Sequence, residues 1–147
     1  MCCVNGDIAK IDSKDLVYKM TISVKKVKQI EYALSHGLTL METKAYTKVS
    51  FPSVRDYGYV VKVDSVYQKM RPDDTKYAYF LLDFLAGTDE PLDENDIYKQ
   101  ICENRSGAVP KKDDLGVLLR WLESINIVSK EKNEDKIKYR LNDAPWM

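Results

Sequence analysis

Glu42, Thr43 and Lys44 reproduce the ExK ending of a metal-dependent nuclease motif. In that chemistry carboxylates hold Mg2+ and a lysine supports the attacking water. It needs a further acid on a neighbouring strand, for which Asp15 is the near candidate. Three-residue matches arise often by chance, so this one is set aside. His36, the single histidine, stands beside Gly37 where a helix is expected to end. A histidine there suits a cap or a solvated position better than a general base. Cys2, Cys3 and Cys102 are odd in number and form no CxxC or Cys/His grouping, which argues against a disulfide framework and a zinc site. No Gly-rich phosphate loop or GxSxG elbow is present. The residues therefore point away from an enzyme and call for no cofactor or metal. Cys102, next to Ile101, is expected in a core.

What remains is recognition. The 147 residues suffice for one domain or two small ones, and 44% apolar with 31% charged residues is ordinary globular composition. Twenty-three Lys and Arg balance 23 Asp and Glu, so no whole-chain basic bias directs the protein to nucleic acid. The free cysteines fit a reducing, cytoplasmic setting. No apolar leader and no apolar run near 18 residues appears, so neither export nor a membrane span is expected.

The elements that must carry any surface read as follows. Residues 1–12 look like a weakly ordered lead-in. Ser23 suits the cap of a helix over 24–35, with Gly37 ending it. Residues 39–70 are rich in Thr, Tyr and Val. Tyr57, Tyr59, Val61 and Val63 alternate at period two, and Pro52, Asp56 and Gly58 supply turn formers, so a hairpin is expected there. A helical reading of 59–70 stays open. The ten tyrosines, Tyr57, Tyr59 and Tyr67 among them, fit a half-buried sheet face, with dimerisation as the next use. Pro72 breaks the pattern and divides the chain into an N-terminal α/β extension, 1–72, and a C-terminal domain, 73–147.

In the second part TKYAYFLLDFLAG predicts a helix with Tyr77, Leu81, Phe84 and Leu85 inward, stopped by Gly87. Asp93 suits the cap of a second helix whose first turn is acidic, with Ile97 and Ile101 as a core pair. Pro110 suits the first turn of a third helix, striped by Leu115, Leu118, Leu122 and Ile125 and ended by Asn126 in a left-handed conformation. IVSK, the charged tip EKNEDK and IKYRL then form a hairpin. Trp146 in the short tail either packs on the domain or serves as a contact.

Helix, helix, turn, helix and hairpin is the order of a winged helix-turn-helix domain. GVLLRWLESINIVSKEKNEDKIKYRL resembles the third helix and wing of that superfamily, and the resemblance covers about residues 75–141. The fold class it implies is α+β: a winged helix-turn-helix domain with an N-terminal helix-and-hairpin extension. Two departures stand out. Asn126 occupies a position where the superfamily commonly has glycine, and Asp113 and Asp114 lie where many DNA-reading members are basic or small and polar.

The resemblance implies that the third helix enters the major groove of duplex DNA. Lys111, Lys112, Gly116, Val117, Arg120 and Glu123 are then expected on its outer face. Base-edge contacts fall to Lys112, Val117 and Arg120, and phosphate contacts to Arg105, Lys111, Lys130, Lys132 and Lys136. Residues 75–104 carry two lysines against seven acids, a net of −5, whereas 105–141 carry nine Lys or Arg against six acids, a net of +3. A domain polarised in that way can bind a polyanion at zero overall charge. The expected function is sequence-specific double-stranded DNA binding by a small transcription regulator, as a homodimer that doubles a short reading module. The alternative is a protein-protein adaptor on the same fold, without nucleic acid.

Overall fold

The computed structural model describes residues 22–73, 75–104 and 111–147. The N-terminal portion is helical. Helix α1 (Val24–Ser35) starts where the Ser23 side chain accepts from the Lys26 amide, and it ends before Gly37, whose φ is +102°. Helix α2 (Leu40–Thr47) opens with a reciprocal capping box between Thr39 and Glu42. Helix α3 (Phe51–Gly58) carries Pro52 in its first turn. Helix α4 (Ser65–Met70) begins where the Asp64 carboxylate accepts from the Val66 amide at 2.8 Å.

The hairpin expected over 39–70 is therefore replaced by three helices. Thr, Tyr and Val favour strands only weakly and by context. The start signals Thr39…Glu42, Pro52 and Asp64 each satisfy or remove orphan amide donors locally, and they prevail. The alternation of Tyr57, Tyr59, Val61 and Val63 has no structural counterpart. Tyr57 and Val61 pack against the Ile30–Leu34–Val54 cluster, while Tyr59 is 86% exposed. Tyr67 sits on α4 with its ring tilted against His36, and Tyr57 sits on α3, so these tyrosines line no sheet face. Arg71 ends α4 in an extended conformation, as a residue before proline should.

The C-terminal portion follows the expected order with one addition. Helix α5 (Ala78–Ala86) buries Ala78, Leu81, Leu82 and Leu85 and is closed by Gly87. Strand β1 (Leu92–Asp93) was not legible in the sequence; two residues carry no periodicity. Helix α6 (Glu94–Asn104) follows, with the Asp96 amide donating to the Asp93 carboxylate at 2.8 Å. Helix α7 (Lys112–Ser124) leads through Asn126, at φ 65°, into strands β2 (Val128–Asn133) and β3 (Lys136–Leu141). The sheet is antiparallel in the order β1-β3-β2. This α+β arrangement is compatible with a winged-helix layout. No helix among the described residues is long and apolar enough to cross a membrane.

One apolar cluster joins both portions. Leu81, Leu82, Ile97, Leu115, Leu118, Leu119 and Leu122 form its centre, and Ala33, Leu38, Ala45 and Tyr46 enter it from α1, α2 and the segment between them. Polar straps reinforce the join. The Tyr32 hydroxyl donates to the Ile125 carbonyl at 2.8 Å, Tyr46 donates to the Asn142 carbonyl, and the Gln29 amide donates to the Asp143 carbonyl at 2.8 Å. Cys102 is half-buried rather than in the core, although its neighbour Ile101 is buried.

Candidate nucleic-acid interface

Helix α7 is amphipathic on a broader face than its leucine stripe suggests. Leu115, Leu118 and Leu122 are fully buried, and Gly116, Leu119 and Trp121 join them. Asp113, Val117, Arg120 and Ser124 face outward, at the i, i+4, i+7, i+11 spacing of one helix side, whereas Lys112, exposed at the first helical position, lies on the side of buried Gly116 and Leu119. Gly116 is a correction to the expected outer face. A Cβ there would lie 3.1 Å from the Glu94 carboxylate and 3.3 Å from the Arg120 guanidinium, so the start of α6 covers it. Lys111 is the extended residue that precedes the helix, and Asp113 and Asp114 lie in the first turn, where they complement the positive end of the helix dipole.

The hairpin sorts its lysines by strand alternation. Lys130 pairs across from Tyr139 and Lys132 from Ile137, so these four side chains share a face. That face lies against α7, because Tyr139 is buried and the Lys130 ammonium reaches the Glu123 carboxylate at 3.4 Å. Lys136 and Lys138, opposite Asn133 and Glu131, belong to the other face with Arg140, which pairs with Glu131 at 3.3 Å. The expected phosphate set is thus divided: Lys130 and Lys132 share the hairpin face turned to α7, Lys111 precedes that helix, and Lys136 belongs to the opposite face of the hairpin. Arg105 lies outside the described residues.

The electrostatics of the face are mixed. The Tyr139 hydroxyl is held above its ordinary pKa by burial first, then by the Glu94 and Glu123 carboxylates, against which Lys130 and Arg120 act. Two cations and two carboxylates therefore converge where α6, α7 and the hairpin meet. Val117 and Ile137, each about two-fifths exposed at 39% and 43%, add apolar surface. The acid-rich residues 75–104 form α5, β1 and α6, and one of their carboxylates, Glu94, stands at the candidate face itself.

The other residues with chemical promise are structurally committed. Glu42 is buried and receives two bonds from the Arg71 guanidinium, and it belongs to a helix rather than a strand. Asp15 lies outside the described residues. His36 stacks on Tyr32 with ring centroids 3.7 Å apart and meets the tilted Tyr67 ring at 4.0 Å. Trp146 lies 5.7 Å beneath the Lys28 ammonium. No group of three or more His, Cys, Asp or Glu able to hold a metal occurs among the described residues. Comparison with family models, with curated proteins and with solved structures finds no match to this chain.

Proposed function

We propose that the chain binds duplex DNA in a sequence-specific manner, as a small transcription regulator of winged-helix type. Helix α7 enters the major groove and the β2–β3 hairpin lies on the backbone. The observation that carries the reading is the strand face shared by Lys130 and Lys132, from which Lys130 reaches Glu123 of α7. Helix and hairpin thereby offer one surface, with Lys112, Val117 and Arg120 able to reach base edges and Lys111, Lys130 and Lys132 able to reach phosphates.

Fluorescence anisotropy with random-sequence duplexes across a salt series tests it. Affinity should fall linearly in log–log with salt. After selection of a preferred site, Arg120→Ala should cost about 1–3 kcal/mol on that site and little on random duplex. Reversing Lys130 and Lys132 to Glu should weaken every duplex, most at low salt. Folded protein that binds no duplex at low salt would sink the reading.

A second reading rests on the mixed charges. Glu123 engages Lys130, Glu94 lies beside Arg120, and Val117 with Ile137 leaves apolar surface among them. Such a face also suits a protein partner, and interface cores are depleted of charge where rims are not. In that case Val117→Asp abolishes capture of the partner, while charge reversal at Lys130 and Lys132 leaves DNA behaviour null.

A further inference from the structure

We propose that the surface where α3 runs on toward α4 is a contact between two copies of this chain, in which the Tyr59 ring of each copy seats in an apolar recess of the other. The proposal does not depend on duplex binding, and the surface shares no residue with α7 or the hairpin.

Exposure marks the surface. From residue 59 to residue 63, Tyr59 is 86% exposed, Val60 79% and Val63 47%. Helix α4, which follows, buries none of its six residues and leaves Val66 exposed as well. Single apolar residues on a surface are ordinary, whereas a run of them beside a recess marks an interaction site. The recess measures about 500 Å³, and Leu34, Leu38, Leu40, Val61 and Val63 give it apolar walls. Of its polar lining, Thr39 is committed to capping α2. A Cβ at Gly58 would meet Leu40 at 3.0 Å and Leu34 at 3.2 Å, so glycine brings the end of α3 against both leucines and sets Tyr59 at the rim.

The shape selects a second copy. Tyr59 itself lines the recess while most of its surface stays in solvent, so projection and recess stand side by side on one molecule. A two-fold contact uses that arrangement: what one copy offers the other accepts, and the exchange happens twice. A tyrosine seated in an apolar pocket is among the side chains that carry most binding energy at interfaces. Charge agrees with shape. Arg55, Asp56, Lys62 and Asp64 flank the run with two cations and two carboxylates. The flanks are therefore neutral and hold each sign for its counterpart across a two-fold axis. The whole chain, with 23 cations and 23 acids, is neutral too, so two copies do not repel. A polyanion or a strongly charged partner meets no matching field there.

The test is the mass of the full chain by light scattering over a concentration series. The wild type should pass from one chain mass to two as concentration rises. Tyr59→Arg and Val63→Asp should each raise the dissociation constant about tenfold or more. Both should keep the wild-type urea midpoint, because neither side chain is buried in the single chain. Mixing the two variants should restore association. In the mixed pair one seat is intact, and the other sets the new cation against the new carboxylate. A wild type that stays monomeric at millimolar concentration overturns the proposal. Dimerisation only after removal of residues 1–21 would assign the recess to that segment and overturn it as well. Dimers that persist in both variants place the contact elsewhere, and loss without recovery on mixing rejects the mutual seat.

Discussion

The Arg71 guanidinium holds the Glu42 carboxylate through two parallel bonds, at 2.8 and 2.6 Å, and both side chains are largely shielded from solvent. The same guanidinium donates to the Gly37 carbonyl at 2.7 Å and to the Thr75 hydroxyl at 3.0 Å, and lies 4.6 Å from the Trp121 ring centroid. One side chain thus ties the α1–α2 turn, the first turn of α2, the approach to α5 and helix α7. Arg71→Ala leaves a shielded carboxylate without its cation and should cost about 3–5 kcal/mol. Glu42→Gln keeps a cap for the Thr39 amide and should cost less than Glu42→Ala. Urea unfolding monitored by circular dichroism measures both, and losses of only about 1 kcal/mol would mean that water compensates the pair as at an exposed site.

Lys48 terminates α2 in the left-handed region at φ 60°. The steric cost there for a residue with a Cβ is about 1–2 kcal/mol, and glycine returns about half of that gain through its larger unfolded entropy. Lys48→Gly should therefore stabilise the fold by about 0.5–1 kcal/mol, read as a higher urea midpoint at constant slope. A lower midpoint would mean that the Lys48 side chain makes a stabilising contact outweighing the backbone strain.

Burial, reinforced by the nearby Asp143 carboxylate and Tyr32, pushes the Tyr46 hydroxyl well above its ordinary value near 10. A raised folded pKa means that Tyr46 contributes its full stability below about pH 10 and loses it as pH rises toward the folded value. Stability should thus fall above pH 10, and absorbance at alkaline pH should show one tyrosine ionising only with unfolding. Tyr46→Phe should lose about 1 kcal/mol at neutral pH with the bond to the Asn142 carbonyl, and should flatten the alkaline decline. An unchanged decline in that variant would assign it to another group.

Gly116 lies inside α7, where glycine costs about 1 kcal/mol relative to alanine. The atoms nearest an added Cβ are the far ends of Glu94 and Arg120, which can yield by tenths of an ångström. Gly116→Ala should raise the thermal midpoint. A fall would show that the Glu94 and Arg120 side chains are held too tightly to move, as a rigid binding face requires.

The C-terminal elements were legible because each carries a long-period signal and a punctuating residue. Leu115, Leu118 and Leu122 recur at helical spacing, Gly87 and Asn126 close their helices, and IVSK and IKYRL flank a charged tip, into which the strands extend until only Glu134 and Asp135 form the turn. Leu119 and Trp121 were not read as inward, since a stripe of leucines understates a helix covered on two sides by α6 and the sheet. Helix α1 was legible from Ser23 to Ser35, and a helical reading of 59–70 covered α4, but α2 and α3 were misread because they are short. Eight-residue α2 shows little periodicity and that of α3 spans barely two turns, and Thr39, Glu42, Ser50 and Pro52 were passed over as start signals in favour of Tyr and Val alternation. Of the candidate interface, the outward positions of Val117 and Arg120 followed from the stripe, whereas Lys112 is exposed because it opens the helix. The split between Lys130 and Lys132 on one face and Lys136 on the other depends on strand register, which periodicity alone leaves open.

The bonds from α1 to the C-terminal tail have a topological consequence. Lys25 pairs with Asp143 at 2.6 Å and Gln29 donates to the carbonyl of the same residue, so the first described helix and the residues after β3 lie side by side. A circular permutant that links the C-terminal tail to the segment before α1 would join regions already in contact. Reopening such a chain at the exposed Asp89 and Glu90, between α5 and β1, would leave every helix and strand uncut. Its ends would then emerge far along the sequence from the α1–tail seam, and a label placed there would report on the molecule without touching that seam.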